Sequence, residues 1–584
     1  MFVRRFAIAV LFIVVGSPAV LAQGLTDQIP QGTVIAVQVR GLEQAQERLV
    51  AMANAMGDGL GDAAALGINE MKAQILEGRE LRGVAKDGRV VFSLAAFPTG
   101  PEALAAAMLI VETTDYAALR DSIGGKAGEP GVKVESLPGG FDAVTRDSQT
   151  HYFVKRGKFT IVTEDRDSAA QLAKQKTTTP IKASKRVAAT FEKGDVGIYV
   201  DMAAVNREYG EVIAGFKEQF AGLVEAAAGA QPGLNPEQAK AQAEMTRKIF
   251  DGMFTFVEET TAVVASGSFE KTGLALSLFA EVKPDGSSAK FLSLLKPGAN
   301  PLVGQLPDGH QMYFGFAGGQ ELYQAVSGLA TSFMAQTGIS GKALEKQLEL
   351  MKEAGPHSVA GAVRFGKGLS GVSISTFDKP AAALEASLAG SEASAEAKIP
   401  GMKEVKIERN VLTHRSVKLS KVTMQFDFDA LAGQAGGEIA AAQLRAFFGD
   451  GMVQWLGVTD RGLVQIMGPD AVAARAALDQ VLDQKRVIKQ DEGFAEAMKR
   501  LPAESTLVAL IDLPSFMSAI LQQMAGVAEG IPAIEPPPGK PTYFGLALVG
   551  QSNAAELAIW FPAAMVGQFM QMFQGLGAGA PNER

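Results

Sequence analysis

The chain has 584 residues, a formal net charge of −8, and 47% hydrophobic against 20% charged residues, a globular composition that excludes global disorder and allows several domains. Its acidity argues against nucleic acid as a partner, because phosphate backbones are bound by clustered Lys and Arg. The absence of Cys excludes disulfides, thiolate metal sites and cysteine nucleophiles, so packing must hold the fold.

Residues 1–22 read as a secretory signal peptide. Arg4 and Arg5 form the charged start, 6–15 the apolar core, and Val20-Leu21-Ala22 the tolerated run before a cut at Gln23. That core falls short of the roughly 20 residues of a membrane-spanning helix, and no Cys follows it to carry a lipid anchor. The expected location is therefore periplasmic or secreted in a bacterium, with no transmembrane span after signal removal. Cleavage takes two arginines and moves the charge from −8 to −10.

A strand-and-helix unit then recurs four times. The first is Ile29-Pro30, a strand at 34–39, and a helix bearing Leu42, Ala45, Leu49, Met52 and Met56. Gly57-Asp58-Gly59-Leu60-Gly61 follows a helix, where a dinucleotide site needs a preceding strand, so it reads as a turn. Strands are expected at 88–97 and 107–111, the latter ending before Asp115, followed by a meander at 141–163. The basic run 174–186 is interrupted by Thr and Pro and reads as a solvated linker. The second unit has a strand at 197–200, the cap Asp201, and Val205, Tyr209, Val212 and Phe216 on one helical face. A helical region at 223–250 breaks around Pro232 and Pro236. A hairpin of 263–269 and 274–282 follows, with Leu274, Leu276, Leu278, Ala280 and Val282 expected on its buried face. Pro284-Asp285-Gly286 is a turn, a short helix occupies 289–295, and 297–301 is a linker.

The same order then returns. Leu306-Pro307 opens the third unit, with a strand at 311–316 and a helix bearing Leu322, Val326, Leu329 and Phe333. Strands at 359–365 and 371–377 precede Asp378 and a helix, an alternating strand runs from 422 to 429, and 462–467 leads into Asp470 and an alanine-rich helix. The fourth unit, 501–527, has a strand at 506–511, Asp512, Pro514 in a first helical turn, and Phe516, Ile520, Met524 and Val527 on one face. A hairpin of 542–549 and 556–561 and a final helix close the chain. Pro30 and Pro307 lie 277 residues apart and Asp201 and Asp512 lie 311 apart, which points to duplication of a half-chain. The expected fold is α+β, with two related tandem halves of mainly antiparallel sheet covered by amphipathic helices. The halves span 23–296 and 302–576, and 577–584 is a flexible tail.

The LP-type openings, the short strands ending in Asp, and the strand-to-helix stretches IVTEDRDSAAQLA and QIMGPDAVAARAAL resemble a family of exported bacterial proteins of unknown function, common in planctomycetes and cyanobacteria. The resemblance covers most of the mature chain. It implies an envelope or secreted location and supplies no catalytic residues.

Chemistry is sparse. His151, His310, His357 and His414 show no metal-binding spacing, and each is expected at a loop or strand end. Gly368-Leu369-Ser370-Gly371 does not fit a nucleophile elbow, and no phosphate-binding Lys-Ser/Thr loop occurs. Asp427 with Asp429, and Glu258 with Glu259, read as the wet side of a sheet instead of a Ca²⁺ or acid–base pair. Met565, Phe569, Met572 and Leu576 form a stripe read as core before a groove for an acyl chain. Asp512 is shared by Asp201 alone among the other units and reads as a helix cap. No catalytic, cofactor-binding or metal residue is assigned, and no cofactor is expected. The expected function is a non-enzymatic exported envelope protein with a structural or binding role. The alternatives are a carrier of lipid or another apolar ligand in a helix–sheet cleft, and a hydrolase whose site the sequence does not reveal. The partner is unknown, with another envelope protein or an apolar ligand as the candidates.

Overall fold

The computed structural model describes residues 28–577 apart from 31, 77–79, 96–106, 175–183, 230–235, 301, 326–341, 367, 397–401, 429–440, 442–444, 446–447, 450, 526–534 and 536–538. The signal segment, Val326, Leu329, Phe333, Asp429 and most of the basic run lie outside the described residues. The chain is α+β with antiparallel sheet and divides into two compact units. Unit 1 is Met1–Glu211, Val257–Lys283 and Glu556–Gly567; unit 2 is Val212–Phe256, Pro284–Ala555 and Gln568–Arg584.

Unit 1 begins with β1 (Ile35–Arg40), α1 (Leu42–Met56), α2 (Leu60–Leu76), β2 (Arg89–Leu94), β3 (Met108–Glu112) and α3 (Tyr116–Gly124). A meander of β4 (Val132–Leu137), β5 (Phe141–Arg146), β6 (Gln149–Arg156) and β7 (Phe159–Thr163) follows. After it come α4 (Arg166–Lys174), α5 (Lys185–Lys193) and β8 (Val196–Asp201). The helices α6 (Met202–Gly229) and α7 (Pro236–Glu259), of which Val212–Phe256 belongs to unit 2, precede β9 (Thr260–Glu270) and β10 (Gly273–Val282) of unit 1. Pairing runs antiparallel in the order β4-β5-β6-β7-β3-β2-β1-β8-β9-β10. The strand Ala554–Pro562 pairs with β10. The central strands are rich in Val, Ile and Phe and are covered on both faces, so all six residues of β2 are buried. Val37, Phe92, Leu109, Leu119, Phe153 and Val162 form the main core, with a second cluster of Met52, Phe269 and Ala563.

Unit 2 carries α8 (Ser287–Leu292), the two-residue β11 (Gly298–Ala299), β12 (Met312–Ala317), α9 (Lys342–Ala354), β13 (Pro356–Gly366), β14 (Gly368–Phe377) and α10 (Pro380–Glu396). Then follow β15 (Met402–His414), β16 (Val417–Phe426), β17 (Gly451–Thr459), β18 (Gly462–Met467), α11 (Ala471–Asp483) and α12 (Glu492–Arg500). The unit continues through β19 (Glu504–Ser505), β20 (Leu507–Ile511), α13 (Leu513–Ala525) and β21 (Phe544–Gln551); the chain ends with the strand Ala554–Pro562, hereafter β22, and α14 (Ala563–Gly577). The order here is β15-β16-β17-β18-β14-β13-β12-β20-β21, again antiparallel. The stretch 297–301 holds β11, which pairs with β19, and Asn300 donates to the Ser505 carbonyl at 2.7 Å.

Several expectations need correction. On β10, Ser277 and Phe279 are buried while Leu278 is 45% exposed, because the Ser277 hydroxyl is satisfied by Glu556 on β22 at 2.6 Å. A bulge between Glu281 and Val282 then returns Val282 to the buried side. The stripe on α6 is exposed at Val212 and Phe216. Glu258 and Glu259 close α7 and do not open a strand. The strand β16 stops at Phe426, so Asp427 lies beyond it. His151 lies within β6 and is buried, with its Nε2 3.8 Å from Glu164. The elements α2, β4, β15 and β17 were not expected, their apolar spacing being masked by Lys, Glu and Gly.

Candidate functional site

In unit 2 a cleft of about 310 Å³ opens where the start of β12, the end of β13, the first turns of α13 and the approach to β21 meet. His310 and Gln311 enter from the β12 side, Phe365 from β13, Asp512, Ser515, Ser518 and Gln522 from the strand-to-helix junction and α13, and Tyr543 from before β21. The wall follows from local sequence. Gly309 takes a φ of 81°, open to glycine, and turns the chain so that His310 precedes the strand. Gln311 donates to the Phe365 carbonyl at 3.0 Å and accepts from its N–H at 2.8 Å, which fixes the two strand ends together. The Phe365 ring sits edge-on to Phe516 at 5.0 Å.

Among the described residues Asp512 is the only carboxylate lining the cleft, and no Lys or Arg lines it. It accepts from the Ser515 N–H at 3.4 Å, the position of a helix cap, and its own N–H donates to the Gln311 carbonyl at 2.7 Å. The cap reading of this residue is therefore incomplete, since the same side chain also faces the cleft. It is 5% exposed, and that burial pushes its carboxyl above the usual range; the Ser515 bonds oppose the shift and the charge of Asp491 adds to it.

Behind Asp512 lies a buried aromatic cluster. Tyr313 and Tyr543 pack edge to face at 5.8 Å, and Phe494 reaches Tyr313 at 6.3 Å. The Tyr313 hydroxyl donates to the Pro307 carbonyl at 3.2 Å and accepts from the His310 N–H at 3.0 Å. Burial pushes both phenols up, so they stay neutral. Burial pushes the His310 imidazole down. Its Nδ1 lies 3.3 and 3.2 Å from the Pro307 and Asp308 carbonyls, which only accept, so Nδ1 carries the proton and Nε2 is the acceptor of a neutral ring.

The other histidines lie elsewhere. His357 on β13 bonds Asp378 at 2.7 Å in the open, and His414 at the end of β15 bonds Asp479 at 2.8 Å beside Arg415. Among the described residues no group of three or more His, Asp and Glu is arranged to hold a metal ion, and no helix is long and apolar enough to cross a membrane. Met565 and Met572 are buried, as a core stripe would be.

The same positions in unit 1 are filled differently. Asp201 donates its N–H to the Val34 carbonyl at 2.9 Å, matching the Asp512 bond to Gln311, and accepts from the Ala204 N–H at 2.9 Å. Counting along matched strands sets Thr33 at the place of His310, Val34 at Gln311, Ala36 at Tyr313 and Ala204 at Ser515. Val200 pairs with Val263 as Ile511 pairs with Phe544, which sets Ala262 level with Tyr543. All five unit 1 residues are buried, and they are smaller than their unit 2 counterparts. Sequence reasoning missed His310, Tyr313 and Tyr543. For His310 and Tyr313 the signal was present in the 277-residue offset, which lays them over Thr33 and Ala36.

No protein-family model and no curated protein matches the chain. Among solved structures it is similar to crystal form III of TP0453, with a TM-score of 0.22 and 9% identity over 45% of this chain and 80% of that one, a likeness too slight to carry fold or function.

Proposed function

We propose that the chain is an exported, non-enzymatic binding protein built by duplication of one α+β half, with its ligand site in the cleft beside Asp512. Support for duplication comes from the shared strand order of the two units and the matched bonds of Asp201 and Asp512. Export rests on the charged and apolar pattern of residues 1–22 and on the resemblance to exported planctomycete and cyanobacterial proteins. The observation that carries the binding reading is the cleft itself, a small concavity with a few convergent polar groups and a buried aspartate.

Carriage of an apolar ligand is the second reading, favoured by exposed Phe216, Leu223 and Met253 on α6 and α7. A thermal-unfolding screen of small polar compounds tests the main reading: a ligand at 100 times its Kd adds about 2.7 kcal/mol to stability. Compounds that raise the Tm of the native chain are expected to lose that effect in Ala519→Trp, which fills the cleft from α13. An equal shift in both proteins would place binding elsewhere, and an apolar dye or copurified lipid bound by both would favour the second reading.

A further inference from the structure

We propose that the cleft beside Asp512 takes a small organic ammonium ion; the inference rests on reading the cleft as a ligand site and names the chemistry of its occupant. The cleft holds one carboxyl, that of Asp512, a residue 5% exposed, with no cationic side chain among the described lining residues. Its neighbours on α13 are Ser515, Ser518 and Gln522, which supply hydrogen bonds without charge. The acid on α12's N-cap, Asp491, repels it, and Tyr543 beside it is a neutral phenol. On the β12 side His310 is neutral, with Asp308 and Arg364 acting on its ring. A carboxylate taken out of water beside a second acid is the group a bound cation compensates best, and a neutral or anionic ligand would leave its charge to the Ser515 hydrogen bonds.

The remaining wall suits the same class. Phe365 and Tyr543 bring aromatic rings to the cleft, and ammonium groups are attracted to aromatic faces. A volume of about 310 Å³ lies at the lower end of ligand pockets, so the ion must be small. The unit 1 junction has the same Asp201 cap, but Ala204 and Ala262 stand where Ser515 and Tyr543 form the wall.

Isothermal titration of the full chain with benzylammonium chloride, benzyl alcohol and sodium benzoate at equal ionic strength tests the proposal. Benzylammonium is expected to bind roughly thirtyfold or more tightly than the alcohol, the factor lost when one partner of a buried charge pair is removed. Asp512→Asn keeps a capping side chain and is expected to lose that factor, while Asp201→Asn binds like the native chain. Affinity should fall as the solution is acidified and the carboxyl protonates. Equal binding of benzyl alcohol, or full affinity in Asp512→Asn, overturns the ammonium assignment. If the alcohol or benzoate binds and Ala519→Trp blocks it, the assignment fails while the cleft stands as a site. If none of the three binds and the polar-compound screen is also empty, both readings fail.

Discussion

Two aspartates show how environment sets the role of one residue type. Asp142 on β5 accepts from Ser136 at 2.7 Å, Arg120 at 3.0 Å and the Tyr116 hydroxyl at 3.1 Å. Burial alone would raise its carboxyl, but these hydrogen bonds and the Arg120 charge hold it below the usual range. Its folded value lies under its unfolded value, so its contribution is complete above the unfolded value and is lost as pH falls through the folded one. Asp142→Asn should lower unfolding free energy by about 2 kcal/mol at pH 7, with the gap closing in acid when followed by urea denaturation. Asp512 has the opposite sign. Its folded value is raised, so the folded state holds the proton more tightly and the residue penalises folding once pH rises above the unfolded value. Asp512→Asn should therefore be more stable than the native chain at pH 7, with the gain shrinking as pH falls. A loss of stability at pH 7 would show that the carboxyl is structural, whereas a gain together with lost ligand binding marks a group kept for function.

At the level of elements, much was legible where a local rule and burial agreed. Asp115 and Asp470 cap α3 and α11 through N–H groups two or three residues on, as their places after short strands suggest. The strand at 107–111 and the helix at 471–483 follow from apolar runs bounded by such caps. Legibility failed on long, charged strands: β15 reads MKEVKIERNVLTH, with most of its side chains exposed or half-exposed, so no apolar period marks it. It also failed for the cleft, whose parts are separated by some 200 residues and joined by strand pairing alone. Glycines give an element-scale test because their cost depends on place. Gly355 ends α9 with a φ of 65°, and a methyl group there would run into the Asp378 carboxylate. Gly355→Ala should destabilise by more than about 1 kcal/mol. Gly252 lies inside α7 with open space around it, and Gly252→Ala should stabilise by up to about 1 kcal/mol. Chemical denaturation of the two variants should move in opposite directions.

For the whole molecule, the two compact units do not coincide with the two halves of the sequence. Glu556–Gly567, from the end of the chain, belongs to unit 1. There β22 pairs with β10, Glu556 satisfies the buried Ser277 hydroxyl, and Ala563 packs with Met52 and Phe269. A sequence divided at its Pro-rich stretch near 297–301 therefore separates unit 1 from a strand it uses. The consequence is testable with a fragment of residues 23–296. Without β22, β10 becomes a sheet edge with unpaired backbone groups, and the cluster around Met52 and Phe269 loses one wall. Such an edge is a template for pairing with another chain, so the fragment should self-associate, and its β9 and β10 amides should exchange with solvent faster than in the full chain. Adding the complementary piece 297–577 should restore both a monodisperse species and slow exchange. A fragment that is monomeric by sedimentation, with β10 amides protected as in the full chain, would show that unit 1 closes its sheet without the returning strand.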